Sequence, residues 1–261
     1  MKHWRTALVG LLALLLTGFA LLWFLPASWA MPLLAPRLNG VRLSDVSGSL
    51  WDGAAGQVLS ARNENLGRVN WQLSRLALLG EQRLRVDMHG PRLDFTGSME
   101  GGSATEAVWT DVQMRADLGL FGAAASLPGG QARGTLAMTA GHVRLSGGWP
   151  LEMDASITWQ PAAMRVPRLG ELPLGTLLLT LHSSKGVVEG TLHDDGSGPL
   201  QVAGRLQLSP LGRRFTAEAK PREPNAGLQR WLSGLGTTDA RGVTHINYSG
   251  GLAAALPEGK R

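Results

Sequence analysis

His193, Asp194 and Asp195 come closer than any other run in this chain to a cluster suited to acid–base work or metal binding. They lead into Gly196, Ser197, Gly198 and Pro199, a turn composition in which aspartate accepts backbone N–H groups, so a hairpin loop is the better reading. His3, His89, His142, His182 and His245 are far apart, and no pair of histidines has the spacing of a helical zinc site. The chain has no cysteine, hence no thiol nucleophile and no thiolate-ligated metal. No Gly-x-Ser-x-Gly elbow and no phosphate loop ending in Gly-Lys-Ser/Thr is present. The expectation is a non-enzyme without catalytic, metal or cofactor residues.

The elements that would position any such side chain are strands. The 35 glycines recur between short segments of alternating apolar residues, the pattern of many strands joined by tight turns. Leu84, Val86 and Met88 would share one face while Arg83, Arg85 and Asp87 share the other. Val108, Val112, Met114 and Ala116 would oppose Trp109, Asp111, Gln113 and Arg115, and Val202, Leu206 and Leu208 would oppose Ala203, Arg205 and Gln207. One-sided strands imply a sheet with one buried and one wet face. Leu177, Leu178, Leu179 and Leu181 are nearly continuous, which predicts a strand buried on both faces.

Leu228, Trp231, Leu232 and Leu235 follow the i, i+3, i+4, i+7 spacing of an amphipathic helix, with Asn225 as N-cap and Gly236 as its stop. Leu73 to Leu79, ending at Gly80, is a shorter helix candidate that competes with a loop. Gly97 to Glu106 and Gly119 to Gly134 read as exposed loops. Three prolines between Gln160 and Gly175 suggest a separation of two lobes near residues 160–175, supported by a faint repeat of Val69, Trp71 and Gln72 in Ile157, Trp159 and Gln160.

No charged residue occurs from Thr6 to Pro36, and Ala7 to Leu25 is almost continuously apolar. At about 1.5 Å per residue such a helix spans roughly 28 Å, the thickness of a bilayer's hydrocarbon core. Lys2 and Arg5 just before it place the start in the cytoplasm and the body beyond the inner membrane, with Trp4, Trp23 and Trp29 near the two headgroup regions. A cleaved secretory signal is the rival, given the small residues Ser28 and Ala30 around Trp29, but the apolar run exceeds the usual signal core. The organisation read from this is a start and transmembrane anchor at 1–30, a stalk at 31–40 and a periplasmic β-rich body at 41–261.

Net charge is +5, and with Lys2 and Arg5 assigned to the anchor the body keeps about +3, scattered except for Arg213 beside Arg214. No basic tract argues for nucleic acid. Stability must come from burial and backbone pairing, although a periplasm would permit disulfides.

The aromatic and small-residue block Ser47-Gly48-Ser49-Leu50-Trp51-Asp52-Gly53 follows the membrane exit. It reads as a turn or bulge with Trp51 packed inward on the first strands. Here the chain resembles the type II secretion system protein N family. The features that carry the resemblance are the basic start, the N-terminal span, the Ser-Gly-x-Leu-Trp-x-Gly block with Ser47, Gly48, Leu50, Trp51 and Gly53, then Trp71-Gln72-Leu73 before a leucine run, glycine-punctuated strands, and Leu235-Gly236 leading through Asp239 and Gly242 to a last strand ending at Gly250.

The resemblance implies an AsmA-like body, an elongated, curved antiparallel β-sheet around an apolar groove, and so a mainly β protein with an N-terminal transmembrane helix and one short C-terminal helix. It further implies an accessory inner-membrane subunit that supports export of folded periplasmic proteins across the outer membrane. The expected partners are the inner membrane and other type II secretion subunits, met through exposed strand edges or the groove. The alternative is an AsmA-like protein that binds or transfers lipid, with acyl chains in the groove.

Overall fold

The computed structural model describes residues 23–34, 40–101 and 105–251, together with Gly18. The span expected from Ala7 to Leu25 lies outside these except for Gly18 and residues 23–25. Among the described residues no helix is long and apolar enough to cross a membrane. By internal contacts the chain divides into two compact units, Met1–Pro91 and Arg92–Arg261.

The first unit holds a short helix α1 (Ala27–Leu34) and four strands, β1 (Arg42–Gly48), β2 (Asp52–Leu59), β3 (Asn65–Leu73) and β4 (Gln82–His89), antiparallel in chain order. Their sequence alternation sorts the faces as expected. Trp71 pairs with Val86 and Val69 with Met88, while Gln72 pairs with Arg85 and Asn70 with Asp87. The candidate helix after β3 is a 3-10 segment, Arg75–Leu79. Ser74 caps it by accepting Leu76 N–H, and Gly80 ends it at φ 101°. The expected stalk falls partly in α1, whose side begins with the fully buried Ala27, and partly outside the described residues.

The second unit is a longer antiparallel meander. Its strands are β5 (Leu93–Gly101), β6 (Glu106–Asp117), β7 (Ser126–Leu127), β8 (Gly130–Ser146), β9 (Trp149–Val166), β10 (Gly170–Ser184), β11 (Val187–Asp194), β12 (Leu200–Ser209), β13 (Gly212–Pro221), β14 (Thr237–Thr238) and β15 (Thr244–Gly251). The order is β5-β6-β8-β9-β10-β11-β12-β13-β15-β14, with β7 paired off the path to β8. Gly147 and Gly148, both at positive φ, make the two-residue β8–β9 turn, whose backbone twist matches that of the strands it joins.

One face of this sheet carries the core. Helix α2 (Ala226–Ser233) and the 3-10 segment Leu118–Ala125 close over one end of it, so that Leu228 and Leu232 on α2 bury against Met164, Leu174, Val202 and Ala219. Asn225 Oδ1 accepts Leu228 N–H at 2.9 Å, the N-cap that the sequence predicts. The helix stops at Gly234 rather than Gly236. Gly236 serves another purpose: a Cβ there would lie 2.1 Å from His245 O, so its lack of a side chain admits β15.

Other expectations need correction. Gly97 to Gly101 extend β5, and the rest of that expected loop is largely outside the described residues. Within Gly119 to Gly134 the 3-10 segment, β7 and the start of β8 leave little loop. The strict alternation on β6 fails at Asp111, which adopts φ 52° and makes a bulge against β5. The bulge brings Trp109 to the same side as Val112, where its ring meets Phe95 edge-on at 5.7 Å. Leu177 on β10 is buried, but Leu178 is half-buried and Thr180 exposed, because no described element covers the opposite face there. Residues 160–175 lie inside the second unit, in the β9–β10 hairpin.

Leu232→Ala is expected to lower unfolding stability by about 2–5 kcal/mol, since Leu232 is 1 % exposed and fills the core beneath the helix. Leu211→Ala, at a side chain 67 % exposed, should change it by no more than about 0.5 kcal/mol. Urea unfolding of the two variants beside the unaltered chain gives both values.

Candidate functional site

The family block lies in the first unit, between β1 and β2, and its centre is the backbone of Leu50. Leu50 N–H donates to Leu25 O at 2.9 Å, and Leu50 O accepts the Trp71 indole N–H at 3.1 Å. Pro26 forms a bridge with Ser49 beside this contact. The end of the apolar N-terminal run is thus tied to the strands through one residue's backbone.

Local chemistry shapes the block for that contact. Ser49 N–H donates to Asp52 O at 2.8 Å while Ser49 Oγ accepts Asp52 N–H at 3.0 Å, closing a tight turn. Gly48 enters the turn at φ 80°, where a Cβ would lie 2.5 Å from Asp52 O. Gly53 faces Trp71 across the β2–β3 pair, and a Cβ on it would sit 2.4 Å from Trp71 Cζ2. The indole therefore lies flat in space that only glycine leaves. Trp51 is 4 % exposed, and its carbonyl accepts Leu73 N–H at 2.6 Å. Ser47, Gly48, Leu50, Trp51, Gly53 and Trp71 are all brought together around the β1–β2 turn and the facing end of β3.

Asp52, Asn70, Gln72, Arg85 and Asp87 line an open concavity of about 620 Å³ beside the block. It offers hydrogen bonds, two carboxylates and one guanidinium, but no nucleophile paired with a base. The faint repeat has a shared physical cause. Trp159 Nε1 donates to Arg133 O at 2.7 Å, as Trp71 Nε1 does to Leu50 O, because a half-buried indole N–H needs an acceptor.

The polar run at the β11–β12 connection does not form a reaction centre. Asp194 accepts Val202 N–H and Gly196 N–H and pairs with Arg222, while His193 is exposed on β11. Asp195 accepts both the N–H and the hydroxyl of Ser197, the N–H foremost, which holds its carboxyl below the usual carboxylate range. Asp239 is lowered in the same way, chiefly by Val243 N–H. Histidines elsewhere meet single carboxylates, His182 with Asp154 at 2.7 Å and His89 with Asp87 at 2.8 Å. His245 lies 3.5 Å from both Glu218 and Asp239, an arrangement that sequence spacing did not reveal because β13, β15 and the turn after β14 contribute one group each. Among the described residues no group of three or more such side chains is placed to hold a metal.

The most constrained constellation of this antiparallel-sheet protein ties Leu25 and Pro26 to the first strands, a structural joint. The family model for the type II secretion system protein N matches residues 39–247. A relative of Vibrio cholerae serotype O1, "Type II secretion system protein N", is 31% identical over 249 residues, covering 87% of this chain and 91% of its own length. No solved structure matches. The chain belongs to the type II secretion system protein N family.

Gly53→Val is expected to unseat Trp71 and to abolish the cooperative unfolding transition of the first unit, whereas Trp71→Phe should cost about 0.5–1.5 kcal/mol through the lost bond to Leu50 O. Tryptophan fluorescence during urea unfolding distinguishes the two. For Asp195 and Asp239 a lowered folded-state pKa means stabilisation that is present above the ordinary carboxylate range and lost as pH falls through the folded value. Acid unfolding monitored by circular dichroism should therefore begin at higher pH in an Asp195→Asn, Asp239→Asn double variant than in the unaltered chain.

Proposed function

We propose that this chain is an accessory, non-catalytic subunit of the type II secretion system, held in the inner membrane by the span at Ala7 to Leu25, with its N-terminus in the cytoplasm and its β-body in the periplasm. The family match over residues 39–247 carries the secretion role. Lys2 and Arg5 before the apolar run support the orientation. Phe24 and Trp29 are 73 % and 70 % exposed where the described chain begins, which suits residues at a membrane surface. Other subunits of the same system are its expected partners. An AsmA-like lipid carrier has support neither from the matched family nor from the relative.

The role of the joint follows from its connections. With the proposed span in the bilayer, the bond from Leu50 N–H to Leu25 O would hold the first strands next to its end.

Deleting the gene is expected to lower the amount of type II substrate enzyme in the medium several-fold under inducing conditions, with restoration by the plasmid-borne gene. Unchanged secretion would refute the role. The absence of native cysteine allows a separate test of topology: a Leu211→Cys chain should react with a membrane-impermeant maleimide once the outer membrane is permeabilised, and should remain in the membrane fraction after carbonate. Labelling that requires lysis of the inner membrane would overturn the orientation.

A further inference from the structure

The outer edge of β15 is open along most of its length. β14 pairs only with Thr244 and His245, and Gly236 approaches Ile246, so residues 247–251 have no strand beyond them among the described residues. On its inner side β15 is fully engaged, with eight register pairs to β13 and no bulge. Every second residue along the free stretch therefore presents its N–H and C=O outward in regular array.

Edge strands in soluble proteins are ordinarily blunted by charge, proline or a bulge. β1 of the first unit is treated so, with Arg42 at its start and Asp45 at φ 55° interrupting its pairing. Asn247, Tyr248, Ser249, Gly250 and Gly251 carry no charge and no proline. The free edge keeps the sidedness of the sheet. Ile246 belongs to the core face, and Tyr248 on the same face reaches back to donate to Leu235 O at 3.1 Å.

Charge indicates what fits there. Arg213 and Arg214 on β13 are both exposed, on opposite faces of the sheet, and pair with Gly250 and Ser249. Neither forms an ion pair with a described residue. Arg213 lies across Gly250, its Nε 3.1 Å from where a Cβ would be, so the small residues of β15 let a guanidinium extend towards the edge. We propose that the free edge of β15 binds an extended acidic segment of a partner protein by strand addition, its backbone continuing the sheet and its carboxylates meeting Arg213 and Arg214. The proposal rests on the secretion role only in taking the occupant to be another protein of that system.

Full-length chain in detergent can be titrated into a fluorescein-labelled ten-residue peptide of repeating Val-Glu-Glu, whose paired glutamates place carboxylates on both faces of an added strand. The expected result is saturable polarisation that weakens with salt, at least tenfold weaker binding to an Arg213→Glu, Arg214→Glu variant of unchanged circular dichroism, and loss of binding when two central valines are replaced by proline. Equal binding of a valine–lysine peptide, or of the proline-bearing peptide, would overturn it. So would a Ser249→Cys chain that oxidises quantitatively to a disulfide dimer, since the edge would then belong to a second copy. The peptide reads the edge and the gene deletion reads the role, so either can fail alone.

Discussion

The backbone of Leu50 is the point on which the first unit depends. Its N–H donates in one direction to Leu25 O and its C=O accepts in the other from the Trp71 indole, so one residue's two backbone groups couple the end of the apolar N-terminal run to the strand register. The bond from the indole needs room for the ring, and Gly53 supplies that room. The Ser47 to Gly53 block is thus a set of steric permissions around one residue's backbone, in which close approach requires Gly48 and Gly53 and burial holds Trp51.

The second unit solves a different problem. Lacking disulfides, it gains stability from an antiparallel meander with one apolar face, closed at one end by α2 and the Leu118–Ala125 segment. Elsewhere the apolar face is only half-buried, as at Met138, Phe95 and Trp109. The meander also ends in an edge at β15 and β14. The pairing of Thr237 and Thr238 with the start of β15 covers too little of the last strand to blunt it.

Much of this was legible in the residues. Alternation on β4 and β12 predicted which side chains face inward, and Asn225 with the 3.6-residue spacing of Leu228, Trp231 and Leu232 located α2. The failures have local physical causes. Asp111 takes a left-handed conformation that shifts Trp109 onto the core side, an event that alternation cannot register because it presumes every residue extended. Gly236 resembled a helix stop by type and position, yet the close approach of His245 O is what requires glycine there.

The sequence by itself determined the apolar run, its basic flank and the predominance of strands, because hydropathy, charge and residue type act locally and can be read in order. The tertiary structure alone decided what Leu25, Leu50 and Trp71 do together, which carboxylates face His245, and that residues 247–251 have no strand beyond them among the described residues. Those facts depend on which distant backbones come within hydrogen-bonding distance, and a bond of about 3 Å between residues tens of positions apart leaves no periodic trace in either partner.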